Sequence, residues 1–193
     1  TYHTCGLRLT GAVECWGCED GDHGQCLSWS GPFLAIAAGS FHACGILSDD
    51  ETVQCWGNDG HGQSDPPLIE FTTISAATWH SCGILDDGSV SCWGCEGDND
   101  GDDVDHGQCD PPAGAFTKIA TGTYHSCALA DDGAIECWGC DGEVDGETID
   151  LGQCALLQEI LRPWESASGT GARFATTTVS VLGNDYYGQM DPP

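Results

Sequence analysis

Basic residues are the scarcest class in this chain, with four lysines and arginines against 31 aspartates and glutamates. The formal net charge is −27. Nucleic acids and anionic membrane surfaces attract proteins mainly through Lys and Arg side chains. The composition therefore excludes nucleic acid as a partner and favours cations or basic proteins. Solubility, or adaptation to salty surroundings, is the alternative explanation of the charge.

The sequence also lacks long apolar runs and helical periodicity. No run approaches the roughly 20 apolar residues that a membrane-spanning helix needs, so no membrane insertion is expected. Only residues 155–161 (ALLQEIL) suggest a short helical turn. No nucleophile–base set, phosphate-binding glycine loop or haem-attachment motif is present, so the sequence predicts a protein that is not an enzyme.

Cysteine, by contrast, is abundant, with 14 residues in a short chain. Such a content is typical of proteins from oxidising compartments, where disulfides persist. We therefore predict an extracellular, secreted protein. Because the chain starts without methionine and inside a repeat, we expect a mature secreted product or a piece of a longer protein.

A tandem repeat organises the cysteines. The histidine of an HxC motif and the tryptophan of a CWG motif each recur four times. These residues are His3, His42, His80 and His125, and Trp16, Trp56, Trp93 and Trp138. A period of about 40 residues that holds four short strands is typical of a propeller blade. The predicted fold is an all-β, β-propeller-type repeat domain over residues 1–193, with about five four-stranded units at 1–31, 32–67, 68–112, 113–162 and 163–193.

The fourth unit illustrates the expected strands. We predict strands at 116–120, 124–129 and 134–138, followed by an irregular edge strand around 152–153. The turn after the second strand contains Gly133, which is free to adopt positive φ. Paired prolines cannot lie inside a central strand, so the DPP triplets mark the links between units.

The ring formed by these units is not expected to close by itself. About 19 of the roughly 20 strands that five units need are present, which predicts an open ring or one completed by a partner. A free strand edge favours pairing with another chain, so self-assembly into a polymer or filament is expected. The fifth unit has lost its Cys and Trp. We expect Phe174 and Val181 to fill those places with apolar bulk, and the alternative is that this unit is a terminal cap of the repeat array.

The pattern HxCxL…dGxVxCWGxnxxGQ…PP…F..I..G resembles the regulator of chromosome condensation repeat, and it is most similar to the secreted, cysteine-bearing bacterial branch of that family. Four copies carry the pattern nearly intact. The resemblance implies a β-propeller, usually seven-bladed, that acts as a binding platform. The chromatin-binding and nucleotide-exchange roles of the founding member are not expected here, because the charge has the opposite sign.

Each predicted hairpin carries two cysteines at equal distances from its turn. Residues placed symmetrically about an antiparallel turn lie opposite each other, within disulfide range. Four cross-strand disulfides are therefore predicted: Cys5–Cys15, Cys44–Cys55, Cys82–Cys92 and Cys127–Cys137. Three more are predicted across the acidic loops, because the other units lose both members of the pair together: Cys18–Cys26, Cys95–Cys109 and Cys140–Cys154. The alternative is that the HxC and CxxC motifs bind zinc or perform redox chemistry.

The acidic loops between CWGC and GQC are the candidate cation sites. In the third unit carboxylates alternate with small residues, as in calcium-binding loops. The candidate ligands are Asp98, Asp100, Asp102, Asp103 and Asp105. The bidentate glutamate of such loops is absent, so a solvated acidic loop is the alternative. No cofactor is required, and calcium is the one that the pattern suggests.

The remaining repeated side chains are assigned to structure. We expect the HxC histidines to hydrogen-bond to backbone within their own unit and the HGQ histidines to pack. The CWG tryptophans should fill the wedge between units. The predicted function is that of a non-enzymatic extracellular structural or interaction protein that assembles with copies of itself. A binding module for a separate protein or glycan is the alternative.

Overall fold

The computed structural model describes residues 3–18, 21–96, 105–139, 143–144, 147–148 and 154. These residues form thirteen strands, all paired antiparallel. The strands are β1 (Thr4–Leu7), β2 (Val13–Trp16), β3 (Phe33–Ala38), β4 (His42–Leu47), β5 (Val53–Gly57), β6 (Thr73–Ala76), β7 (Ser81–Ile84), β8 (Val90–Trp93), β9 (Phe116–Thr121), β10 (Ser126–Ala130), β11 (Ile135–Trp138), β12 (Glu143–Val144) and β13 (Glu147–Thr148). The described part of the chain contains no helix of the length and hydropathy that crossing a membrane requires.

Each of the first four units contributes one main sheet. β1 pairs with β2, and three-stranded sheets follow in the orders β3-β4-β5, β6-β7-β8 and β9-β10-β11. The second strand of each three-stranded sheet is central, and β4 and β7 are buried along almost their whole length. The first strands β3, β6 and β9 contact one another in sequence, so the sheets stack side by side as propeller blades. The all-β propeller prediction is confirmed, and the described sheets form an open series rather than a closed ring.

The described residues of the three-stranded sheets include no fourth strand, and in the second unit the segment after CWG forms turns. The buried Gln63 of a GQ motif holds this segment. Its Oε1 accepts a hydrogen bond from the His61 backbone N–H at 2.8 Å, and its Nε2 donates to Asn58 Oδ1 at 2.8 Å. The loop already satisfies its own polar groups, and the prolines that follow have no N–H to donate. Forming an edge strand here would therefore add few hydrogen bonds.

Several sequence predictions fall outside the described residues. They concern the edge strand around 152–153, the helical turn at 155–161 and the fifth unit at 163–193. In the fourth unit β12 and β13 form a short hairpin within the acidic loop, which the sequence did not indicate.

The hairpin turns have the predicted geometry except in the second unit. Gly88 and Gly133 adopt φ of 82° and 86°, in the left-handed region that glycine tolerates. The second unit has no glycine at this place, and Glu51 adopts φ of 57° instead. A side chain with a Cβ atom is strained in that region.

The apolar core lies between neighbouring sheets and is closed by the CWG tryptophans. Trp93 is 7% exposed and packs with Ile46 and Val53 of the preceding unit and Phe71 of its own. Its indole Nε1 donates a hydrogen bond to the Gln63 carbonyl oxygen at 3.1 Å. The same bond joins Trp56 to Gln25 at 3.1 Å and Trp138 to Gln108 at 2.9 Å. We call this arrangement the Trp–Gln joint; it places the tryptophans in the wedge between units, as predicted.

Candidate functional site

The cysteines of the repeat are paired. The strand register places Cys5 opposite Cys15, and the same opposition recurs in the other three hairpins. The cross-strand disulfides are Cys5–Cys15, Cys44–Cys55, Cys82–Cys92 and Cys127–Cys137, with Cα atoms 4.0–4.1 Å apart. Cys18–Cys26 and Cys95–Cys109 bracket the loops that carry the HGQ motif. Cys154 is also disulfide-bonded, and its predicted partner Cys140 lies outside the described residues.

A cysteine in a disulfide cannot supply the thiolate that a zinc ion binds. All cysteines in the described ranges are bonded. Over the same ranges, no three His, Cys, Asp or Glu side chains are placed to share a metal ion. The two cysteines of the first CxxC motif, Cys15 and Cys18, are bonded to separate partners rather than to each other, and so are Cys92 and Cys95.

The HxC histidines form a buried row through the stacked sheets. His42 Nε2 lies 2.7 Å from Ser81 Oγ, and His80 Nε2 lies 2.9 Å from Ser126 Oγ. The prediction of a backbone partner within the same unit is wrong at these two histidines. The central strand already uses its backbone groups to pair with both neighbouring strands, so each ring bonds to a serine of the next unit.

Burial also decides the charge of these histidines. It lowers the pKa of His42 to about 4, with repulsion from His3 adding to the effect. It lowers the pKa of His80 to about 3, with repulsion from His42 and His125 adding to the effect. Both rings are fully buried and neutral near pH 7, so they serve as hydrogen-bonding links between units rather than as acids or bases for a substrate.

A second row of rings lies at the end of the sheets opposite the hairpin turns. The residue before each HxC histidine of units two to four is aromatic and half-buried: Phe41, Trp79 and Tyr124. The HGQ histidine of the preceding unit meets each of these rings edge-on. The pairs are His23–Phe41, His61–Trp79 and His106–Tyr124, with ring centroids 5.6, 5.0 and 5.3 Å apart. Phe41 and Trp79 also contact each other, at 5.7 Å. We call these six side chains the aromatic row.

Carboxylates border the aromatic row. Asp22 and Asp105 directly precede two of its histidines and are exposed to solvent. Their Oδ1 atoms accept backbone N–H bonds within their own loops, at 2.8 and 3.0 Å, which fixes the loops next to the rings. His61 Nδ1 lies 3.1 Å from the carbonyl oxygen of Glu96, so the acidic loop of the third unit begins at the row. The surface combines aromatic faces with negative charge.

Four of the five predicted calcium ligands, Asp98, Asp100, Asp102 and Asp103, lie outside the described residues. The fifth, Asp105, is the loop-capping residue beside the row. Calcium binding accordingly stays a prediction.

The aromatic row was only partly indicated by the sequence. The HGQ histidines were expected to pack, and each of them contacts an aromatic ring. No role was predicted for the aromatic residue before each HxC motif. A signal was present, since Tyr2, Phe41, Trp79 and Tyr124 occupy the same place in four units. The ring contacts themselves could not be inferred, because each joins residues of two different units.

Stacked antiparallel sheets, disulfide-linked hairpins and Trp–Gln joints define a class of protein, the repeat proteins of β-propeller type. The sequence profile described as Regulator of chromosome condensation (RCC1) repeat matches residues 33–63 and 116–143. The resemblance to the regulator of chromosome condensation repeat is therefore confirmed at these two stretches. Assignment of the chain to the secreted bacterial branch stays a prediction.

Solved structures share the fold. The CRINKLY WD40 ectodomain of the Arabidopsis thaliana receptor kinase ACR4 is 29% identical, covers 72% of this chain and 48% of its own length, and has a TM-score of 0.60. The ectodomain of the Physcomitrella patens receptor kinase CR4 is 32% identical, with 72% and 38% covered and a TM-score of 0.58. Prp20p from Saccharomyces cerevisiae is 20% identical, with 79% and 45% covered and a TM-score of 0.59. The chain spans less than half the length of each of these proteins.

Proposed function

We propose that this chain is a non-enzymatic extracellular interaction module that binds a basic segment of a protein partner through the aromatic row. The observation that carries the proposal is the set of half-buried rings bordered by exposed carboxylates, in a chain of net charge −27. Propeller folds related to this one serve mainly in binding and scaffolding, and Prp20p, which shares the fold, binds Gsp1p and histones.

Lys and Arg side chains suit such a surface for two physical reasons. An aromatic face attracts a cation through the quadrupole of the ring, by about 0.5–2 kcal/mol depending on desolvation. Nearby carboxylates add Coulomb attraction and raise the rate of encounter with a basic partner. Few cations on the chain itself compete for these carboxylates, and Arg8 is already paired with Glu14 at 2.7 Å.

The extracellular location is supported by the six disulfides among the described residues and by the two plant ectodomains at 29% and 32% identity. Such disulfides persist in oxidising compartments and are rare in the cytosol. The absence of an enzymatic function is part of the proposal. It is supported by the full burial of His42 and His80 and by the pairing of the described cysteines.

The test uses fluorescent octapeptides of lysine, arginine and glutamate, titrated against the protein in 0.15 M salt and followed by anisotropy. Trp79→Leu should weaken binding of the basic peptides about 3- to 30-fold, because it removes an aromatic face and keeps the charge. The matched control is the double change Asp86→Asn and Asp87→Asn. These carboxylates line an open groove at the hairpin-turn end of the sheets.

The control should change binding less than Trp79→Leu, although it removes two negative charges. If both variants weaken binding equally, the attraction is diffuse charge and the aromatic row is not the site. A thermal melt of each variant checks that the fold is retained. Binding of neutral glycans that Trp79→Leu abolishes and salt does not change would instead support the glycan alternative.

A further inference from the structure

The hairpin turns of the second and third units enclose a groove, at the opposite end of the sheets from the aromatic row. Its volume is about 540 Å³, and it is open to solvent. The turn between β4 and β5, the linker before β6 and the turn between β7 and β8 form its walls, and all three lie within the described residues. Its lining includes Leu68 and Ile69 from the linker and the carboxylates of Asp50, Glu70, Asp86 and Asp87.

The linker along this groove differs from the equivalent linkers of the repeat. Three described linkers each end at a phenylalanine whose backbone N–H donates to a carbonyl oxygen of the preceding hairpin turn, at 2.8–2.9 Å. The bonds are Phe33–Gly11, Phe71–Glu51 and Phe116–Gly88. The equivalents of residues 68–70 (LIE) are residues 30–32 (SGP) and 113–115 (AGA). Small residues therefore suffice for the fold at these places, and the large side chains at 68–70 are not required by it.

The two apolar side chains of this linker are in contact with water. Leu68 is 91% exposed and Ile69 is 36% exposed. Single exposed apolar residues are common on protein surfaces, but these two are adjacent, in a groove where the equivalent linkers carry small residues. An apolar side chain of a partner that covers them removes hydrocarbon surface from water, which is favourable. The groove therefore offers an apolar contact surface to a partner.

The carboxylates decide which charge fits beside this apolar surface. All four are exposed, and no Lys or Arg is among the described residues that line the groove. Asp50 Oδ1 accepts hydrogen bonds from the Thr52 N–H and hydroxyl, at 3.1 and 2.8 Å. Asp87 Oδ1 accepts from the Ser89 hydroxyl and N–H, at 2.6 and 2.9 Å, and these bonds hold the pKa of Asp87 below its ordinary value. Because a carboxylate has a second oxygen that can accept from a ligand, the two turns hold fixed acceptors for a cation.

We propose that this groove is a second binding site, which takes a segment of a protein partner that carries arginine two residues from a large apolar side chain. In an extended segment, side chains two residues apart point to the same side. The apolar side chain packs on Leu68 and Ile69, and the guanidinium donates to the carboxylates of the two turns. Arginine fits better than lysine, because its planar fork donates several hydrogen bonds to carboxylates at once.

The groove and the aromatic row differ in the ligand that each requires. Octapeptides made only of lysine or arginine bring no apolar side chain, so they report on the aromatic row, and the groove carboxylates act on them only as distant charge. A peptide that combines leucine with arginine reports on the groove. The double change Asp86→Asn and Asp87→Asn should therefore have a small effect on the lysine octapeptide and a larger effect on the mixed peptide.

The experiment titrates the 193-residue chain against a fluorescent octapeptide in which leucine and arginine alternate, with a serine between each pair, and follows anisotropy in 0.15 M salt. Leu68→Ala should weaken binding about 3- to 10-fold, because it removes apolar surface from the contact. The triple change Leu68→Ala, Ile69→Gly and Glu70→Ala should weaken binding by about tenfold or more. It gives this linker the sequence of the equivalent linker at 113–115, which the fold accepts.

Two controls accompany the titration. Leu9→Ala replaces another exposed leucine, on the hairpin turn of the first unit, and should bind the mixed peptide as the parent does. A peptide with serine in place of leucine should bind more weakly than the mixed peptide and should not respond to Leu68→Ala. A thermal melt of each variant checks that the fold is retained.

Three results would overturn the proposal. One is a parent protein that does not bind the mixed peptide up to millimolar concentration. Another is equal weakening by Leu68→Ala and Leu9→Ala, which would indicate non-specific apolar contact. The third is a greater loss of mixed-peptide binding with Trp79→Leu than with the triple change, which would place the peptide on the aromatic row. That third result leaves the proposed function intact, and failure of the lysine octapeptide to bind leaves the groove proposal intact, so the two can fail separately.

Discussion

Replacement of His80 by glutamine should make the stability of the protein less sensitive to acid. The His80 ring is fully buried, and its Nε2 lies 2.9 Å from Ser126 Oγ in the next unit. The Nε2 of glutamine reaches a similar place, so the variant can keep a bond to the serine while it removes the titrating group. His3, His42 and His125 are further histidines of the same buried row, and His42 and His125 repel a proton on His80.

The magnitude follows from the two pKa values of the ring. Burial lowers the pKa of His80 to about 3 in the folded protein, whereas an unfolded histidine titrates near pH 6.5. As the pH falls below 6.5, the unfolded state therefore binds the proton first, and the folded state loses stability until the pH reaches about 3. Linkage gives a loss of about 2 kcal/mol between pH 7.5 and 5, and about 3 kcal/mol by pH 4. Above pH 6.5 the contribution is fully present.

Urea unfolding under non-reducing conditions, followed by tryptophan fluorescence at pH 7.5, 6 and 5, measures this effect. Protonation of crowded carboxylates opposes it by relieving repulsion, so the informative quantity is the parent-minus-variant difference in unfolding free energy. That difference should fall by about 2 kcal/mol from pH 7.5 to 5. His23→Gln, at an exposed ring, is the control and should show a smaller change. A His80→Gln difference that is the same at all three pH values would refute the reasoning.

Three further predictions concern the joint, a turn and the acidic loop. Trp93→Ala should lower the unfolding free energy by about 3–5 kcal/mol, and Trp93→Phe by clearly less, because the phenyl ring fills the wedge but cannot donate to Gln63; urea unfolding distinguishes them. Glu51→Gly should raise the melting temperature by relieving the positive φ of 57°, by about 0.5–1 kcal/mol in free energy, and an unchanged or lower value would argue against strain there. If the third acidic loop binds calcium, millimolar calcium should raise the melting temperature relative to chelator, and Asp98→Asn with Asp100→Asn should abolish the rise; magnesium is the control ion.

The joint and the histidine row show why some contacts escape inference from sequence. The sequence predicted that the CWG tryptophans lie between units, because a large ring that recurs once in every repeat is suited to fill the wedge between neighbouring sheets. It did not indicate that the indole donates to a glutamine carbonyl about 30 residues earlier. For the HxC histidines the expected partner was wrong, since the serine that accepts the ring lies 39 or 46 residues further along, in another sheet.

Sequence alone determined the repeat, the all-β fold, the hairpins and the pairing pattern of the cysteines. These features are local: each described disulfide joins residues 8–14 positions apart, and alternation, turns and symmetry about a turn operate over that range. Only the tertiary structure decided that the sheets β3-β4-β5, β6-β7-β8 and β9-β10-β11 have three strands in the described part of the chain, and that the aromatic and HGQ rings meet in one row. Those features depend on how one sheet packs against the next, and packing between units is set by side chains that are far apart in the chain.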